Sequence, residues 1–145
     1  MKRTPFALLI LFAVITVGGY AQEKPTVPVD RLIATHTEAK SIAESALALR
    51  SRLSKDLSAT DFVREVNGLM TRCAPIIVLI AETNPPKEAQ RFAMNVAMGI
   101  KGVELALWYY TYGVLSNQSD YMNSGDQFLN RGVQELKVAE SLLGR

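Results

Sequence analysis

Between Pro85 and Leu115 apolar or small residues recur three and four apart, at Ala89, Phe92, Val96, Gly99, Val103, Ala106, Tyr110 and Gly113. That spacing predicts one long helix with a heptad seam. Gly99, Ala106 and Gly113 fall seven residues apart on it. Glycine costs about 1 kcal/mol relative to alanine in a helix interior, so two on one line imply that another backbone approaches closely. The seam therefore reads as tight helix packing or as a self-association seam between copies. Met94, Met98, Leu105, Leu107, Trp108, Tyr109 and Tyr112 add further apolar faces, and a helix apolar almost all round is expected to be the most buried of its domain.

Three other helical patterns accompany it. The first, from about Val29 to Leu57, places Val29, Leu32, His36, Ala39, Ala43, Ala46, Leu53 and Leu57 on one stripe. Its charged residues fall largely off that stripe, with Arg50, Arg52 and Lys55 late, where the helix dipole favours cations. The second follows the capping stretch Ser58-Ala59-Thr60-Asp61 and continues through Phe62, Val66, Leu69, Met70, Cys73, Ile76, Ile77 and Ile80. Pro75 interrupts it. A proline deletes one helical hydrogen bond and clashes with the carbonyl four residues back, which predicts a kink or two shorter helices. Residues 76–81 also suit a short buried strand, but the chain has no second strand candidate to pair with it. Asn84-Pro85-Pro86 reads as the start of the third helix, a capping asparagine followed by prolines. After the polar turn 116–120, Tyr121, Gly125, Phe128, Gly132, Leu136, Ala139 and Leu143 mark a fourth helix. The expectation is an all-α, antiparallel up-and-down four-helix bundle with a kink near Pro75 in its second helix.

The N-terminus speaks to location. Lys2 and Arg3 precede an apolar run from Phe6 to Val17, and Gly19-Tyr20-Ala21 sets small residues where a signal peptidase grips. The run is shorter than the roughly 20 residues a spanning helix needs. Residues 1–21 are thus expected to be a cleaved secretory signal, 22–28 an N-terminal tether and 29–145 a single helical domain, working in the periplasm or outside the cell. The chain carries 16 basic and 14 acidic residues, and Lys2 and Arg3 account for that excess. A balanced mature chain with no basic stripe argues against nucleic acid as a partner. The long third segment has Lys101 and Glu104 near its middle, and each costs about 2.5–3.5 kcal/mol at the centre of a span, so no stable membrane span is expected after cleavage. Three apart on the helix, the two suit a partly exposed ion pair.

Familiar chemistry is missing from the pattern. One cysteine, Cys73, excludes an internal disulfide and covalent haem attachment, and its apolar neighbours suit a buried thiol. One histidine and no Glu-x-x-His leave no carboxylate-bridged metal site. Phosphate-cradling glycine loops, nucleophile elbows and calcium loops are also absent. No catalytic or metal-ligating residue is assigned. His36 lies on the apolar stripe of the first helix, where it is either packed against the core and hydrogen-bonded to a neighbouring helix or turned to a ligand. In the second case a methionine such as Met70, Met94, Met98 or Met122 would complete axial ligation of a non-covalent haem. Trp108, Tyr109, Tyr110 and Tyr112, with Tyr121 across the turn, point in several directions, so at least one approaches the surface. Exposed tyrosine and tryptophan anchor interfaces and pockets. Asn117-Gln118-Ser119 matches the glycosylation acceptor triplet.

Together these residues suggest an exported, non-catalytic bundle that binds another protein or forms a homo-oligomer through the Gly99, Ala106 and Gly113 seam. The alternative is a carrier of a small apolar or planar ligand, held between helices near His36, Trp108, Tyr109 and Tyr112.

Overall fold

The computed structural model describes residues 24–53 and 57–143. The segment read as an export signal lies outside them, as does Lys55. The chain is an all-α four-helix bundle of α1 (Val29–Arg52), α2 (Ala59–Glu82), α3 (Gln90–Ser116) and α4 (Ser119–Leu143). The helices α1 and α3 each pack on the other three, whereas α2 and α4 have no comparable contact with each other. The cross-section is therefore a rhombus with α1 and α3 on its short diagonal.

The closest pairing is α3 with α4, and glycine makes it possible. A Cβ built on Gly132 would stand 2.7 Å from the Gly99 carbonyl oxygen and 3.0 Å from the Val103 nitrogen. One on Gly102 would stand 2.9 Å from the Gly132 Cα, and one on Gly125 would stand 2.5 Å from the Tyr110 ring. Backbone meets backbone here, at a spacing that any larger residue would force apart. Along the pair, Gly99 faces Leu136, Gly102 faces Gly132 and Gly113 faces Met122, so the two helices run antiparallel. The connection is short because Asn117 adopts the left-handed conformation (φ 52°) at the end of α3. Its N–H and that of Gln118 turn back to the Val114 and Gly113 carbonyls, a cap that asparagine tolerates better than other side chains with a Cβ.

Other boundaries differ from the sequence expectation in instructive ways. The first helix ends at Arg52, and Leu53 and Leu57 reach the core from the connection rather than from a helical stripe. Helix α2 is a single helix through Pro75 rather than two shorter ones. The carbonyl that Pro75 leaves without a helical donor belongs to Thr71, and both residues are exposed, so water can satisfy it. The α2 start is capped as its residues suggest: the Asp61 N–H donates to Ser58 Oγ at 3.1 Å and Ser58 Oγ donates to Asp61 Oδ2 at 2.7 Å. That hydroxyl, then Arg64, hold the Asp61 carboxyl below the usual range. Asn84 does not cap α3. Its backbone instead pairs with the segment before α1, accepting from the Val27 N–H and donating to the Pro25 carbonyl. A 3-10 turn over Lys87–Ala89 leads into α3. The polar stretch read as a tether is thus docked from Lys24 onward, with Val27 buried and Lys24 Nζ donating to the Ala81 carbonyl.

One core joins all four helices, with Leu32, Ile42, Phe62, Val66, Ile100, Val103, Leu107, Leu129 and Leu136 nearly or fully enclosed. At one end three helices are tied by a polar node. Arg50 of α1 grips both oxygens of Asp126 of α4, at 2.9 and 3.1 Å, and the Tyr110 hydroxyl of α3 donates to Asp126 Oδ1 at 2.7 Å. The Arg50 guanidinium also lies over the Tyr110 ring, 5.6 Å from its centroid.

Two glycine substitutions are expected to act oppositely. Gly132→Ala pushes α3 from α4 and lowers stability by about 1–3 kcal/mol, even after the gain in helix propensity. Gly68→Ala, in α2 with nothing within 4 Å of the new methyl, raises it by about 0.5–1 kcal/mol. Urea midpoints of the two variants check both signs.

Candidate functional site

His36 is buried in the bundle, where its Nε2 lies 2.9 Å from the Leu136 carbonyl oxygen of α4. A carbonyl only accepts, so Nε2 carries a proton and donates it, which removes that nitrogen as a metal ligand. The ring also packs against Phe92 of α3 at 5.5 Å between centroids. Of the methionines considered as its partners, Met94 and Met98 are exposed and Met122 lies against Gly113. Trp108 lies sixteen residues beyond Phe92 on α3, about 24 Å along the helix axis. His36 and the Trp108, Tyr109, Tyr112 cluster, which the sequence placed around one ligand, therefore occupy different ends of the bundle.

The small-residue seam is filled from within. Gly99, Ala106 and Gly113 are all buried, with α4 lying against them. The close approach that the glycines permit is taken by the helix joined to α3 through a two-residue turn.

Helix α3 has more buried residues than any other described helix, as its composition suggested, yet it is not enclosed on every side. Met94, Met98, Leu105, Trp108, Tyr112 and Leu115 are exposed, with Trp108 at 55 % and Leu115 at 72 %. Lys101 completes the series, giving steps of four and three residues from 94 to 115 on the side turned away from the core. The only charge on this line is paired, because Lys101 Nζ bonds to Glu104 at its edge. The six apolar side chains expose on the order of 600 Å², at or above the largest patch of an ordinary monomer. The stripe spans about 32 Å of helix.

Aromatic packing stiffens one end of it. Trp108 and Tyr112 stack at 5.9 Å with planes 3° apart, and Tyr112 meets Tyr121 of α4 edge-on at 4.7 Å. Tyr109 continues the row to Tyr121 and to Phe128, at 6.1 and 5.2 Å. The sequence had pointed to Tyr121 but not to Phe128, which lies two helical turns further along α4. Rings held by one another lose little rotamer freedom on binding, a property of interface anchors.

Recesses elsewhere are modest. A cleft of about 280 Å³ between α1 and α4 has Ala43, Leu47 and Leu136 as its floor, with the Lys40–Glu140 ion pair (2.7 Å) across its rim. A wider depression of about 500 Å³ between α1 and α2 is edged by Arg52, Glu65 and Arg72. No cluster of three metal-ligating side chains occurs among the described residues, and no described helix is long and apolar enough to cross a membrane. Asn117, of the glycosylation triplet, is exposed. No protein-family model, curated protein or solved structure matches the chain.

Cys73 is wholly buried. Burial first, and then the Glu104 charge, push its thiol from 9.0 up to about 12, so it is inert as a nucleophile at neutral pH. Burial, and after it the Asp126 hydrogen bond, raise Tyr110 as well. A group whose folded value is raised stabilises the fold below its unfolded value, and that contribution is lost as pH rises. Between pH 9 and 10 Cys73 is expected to cost about 1 kcal/mol, with Tyr110 joining chiefly above 10. Cys73→Ala should flatten the 9-to-10 segment of a stability-against-pH curve measured by urea unfolding and leave the fall above pH 10.

Proposed function

We propose that this protein is an exported, non-catalytic helical bundle that acts by binding a protein along the outer face of α3. The observation that carries this reading is the line of six exposed apolar side chains from Met94 to Leu115, broken only by Lys101, whose charge is paired with Glu104 of its own helix. Leaving six large apolar side chains in water forfeits burial worth about 25 cal/mol for each Å² that a partner would cover. Tryptophan, tyrosine and methionine are the residue types enriched in interface cores. Export rests on residues 1–21, and cleavage after Ala21 would leave Lys24 and Val27, which anchor the chain to the end of α2, on the mature protein.

A ligand carrier has less support. His36 and the aromatic cluster do not converge, and neither the 280 Å³ cleft nor the 500 Å³ depression is lined by either of them.

A photo-reactive phenylalanine analogue placed at Leu105 in the native host tests the surface. Discrete protein adducts are expected from that position and not from exposed Thr71 on α2. The absence of protein adducts at Leu105, or adducts only to lipid, overturns the reading. Mature protein from the exported fraction should begin at Gln22, and protein retained in the cytosol with Met1 in place overturns the assignment of export.

A further inference from the structure

The chemistry of the stripe also specifies an occupant. Resting on the reading of this face as a protein-binding surface, we infer that it docks on the same face of a second copy, with the two α3 helices antiparallel about a two-fold axis. Steps of four and three residues are the spacing that lets one helix's side chains fall between those of another, and two such stripes run antiparallel match from Met98 to Leu115.

Charge decides the direction. Lys101 is the one cation on the stripe, and a parallel pair would bring it against Lys101 of the second copy. In the antiparallel pair with the axis between Leu105 and Trp108, Leu105 sits opposite Trp108 of the second copy and Met98 opposite its Leu115. Lys101 then lies opposite Tyr112, beside the stacked Trp108 ring. An ammonium against those rings gains cation–π attraction in place of repulsion, while Glu104 of its own helix still holds it.

Area sets the strength. Two stripes facing each other from Met98 to Leu115 remove roughly 1,000 Å² from water, about the least a specific interface needs. The dimer is therefore reversible, forming and dissociating with concentration.

Sedimentation equilibrium of the protein purified from its own host, over a wide concentration range, should show a monomer–dimer equilibrium. Leu105→Glu, which sets a carboxylate against the second copy's Trp108, should weaken the dimer at least tenfold with helical circular dichroism unchanged. Leu115→Glu, at the most exposed stripe position, serves if the first variant loses helix. Direction is read by mixing Met98→Cys protein with Leu115→Cys protein under mild oxidation, since the native Cys73 is fully buried. Mixed disulfides between the two variants support the antiparallel pair, and disulfides within each variant alone overturn it. A wild-type mass of one chain at every concentration overturns the dimer. If adducts to another protein at Leu105 persist in that case, the binding surface stands and only its occupant was wrong. Flotation with phosphatidylglycerol–phosphatidylethanolamine vesicles, with no dimer and no protein adduct, overturns both.

Discussion

The backbone contact between α3 and α4 is the constraint from which the rest of the bundle follows. With Gly99, Gly102 and Gly113 on one helix and Gly125 and Gly132 on the other, the two chains approach until a single methyl would collide with a carbonyl or an amide. Such a contact is rich in dispersion attraction, because many atoms of both backbones lie at van der Waals distance. It also leaves little freedom of register. Sliding α4 along α3 would carry Leu136 and the Tyr110 ring off Gly99 and Gly125, the glycines they lie against, and onto neighbours that bear side chains.

Once the α3–α4 pair is set, the polar groups inside the bundle fall into place around it. Tyr110, turned past Gly125, brings its hydroxyl to Asp126, and Asp126 then receives Arg50 from α1. His36 finds the Leu136 carbonyl on the same helix at the other end. Two contacts between α1 and α4, well separated along both helices, fix how α1 lies on the pair. No buried side-chain nitrogen or oxygen among the described residues lacks a hydrogen-bond partner, which is what a uniquely arranged interior requires.

The same contact explains the outer surface. A helix that turns its small residues toward its nearest neighbour keeps its large ones for other directions. In α3 one set, including Val96, Ile100, Val103 and Leu107, enters the core, and the other, from Met94 to Leu115, is left facing outward. The apolar stripe is thus the complement of the glycine seam. Both arise on one helix because α4 occupies the side that needs no side chains.

Much of this was legible from residues alone. Periodicity marked the four helices, and Ser58, Asn117 and the run of prolines after Asn84 marked where they change, because capping and backbone stereochemistry are local properties. Glycines seven apart announced a close approach for the same reason: their cost within a helix is intrinsic and needs an offset. Local chemistry did not say which helix would make the approach, nor that Asn84 would pair with the segment before α1 instead of capping α3. It placed His36 and Trp108 around one site, since residues on two helices have no measurable separation until the helices are docked. Above all, a helix apolar on every side carries no mark of which side is inside. Tertiary packing decided that, by giving the seam to α4 and the core side to α1 and α2, and so leaving Met94, Met98, Leu105, Trp108, Tyr112 and Leu115 in water.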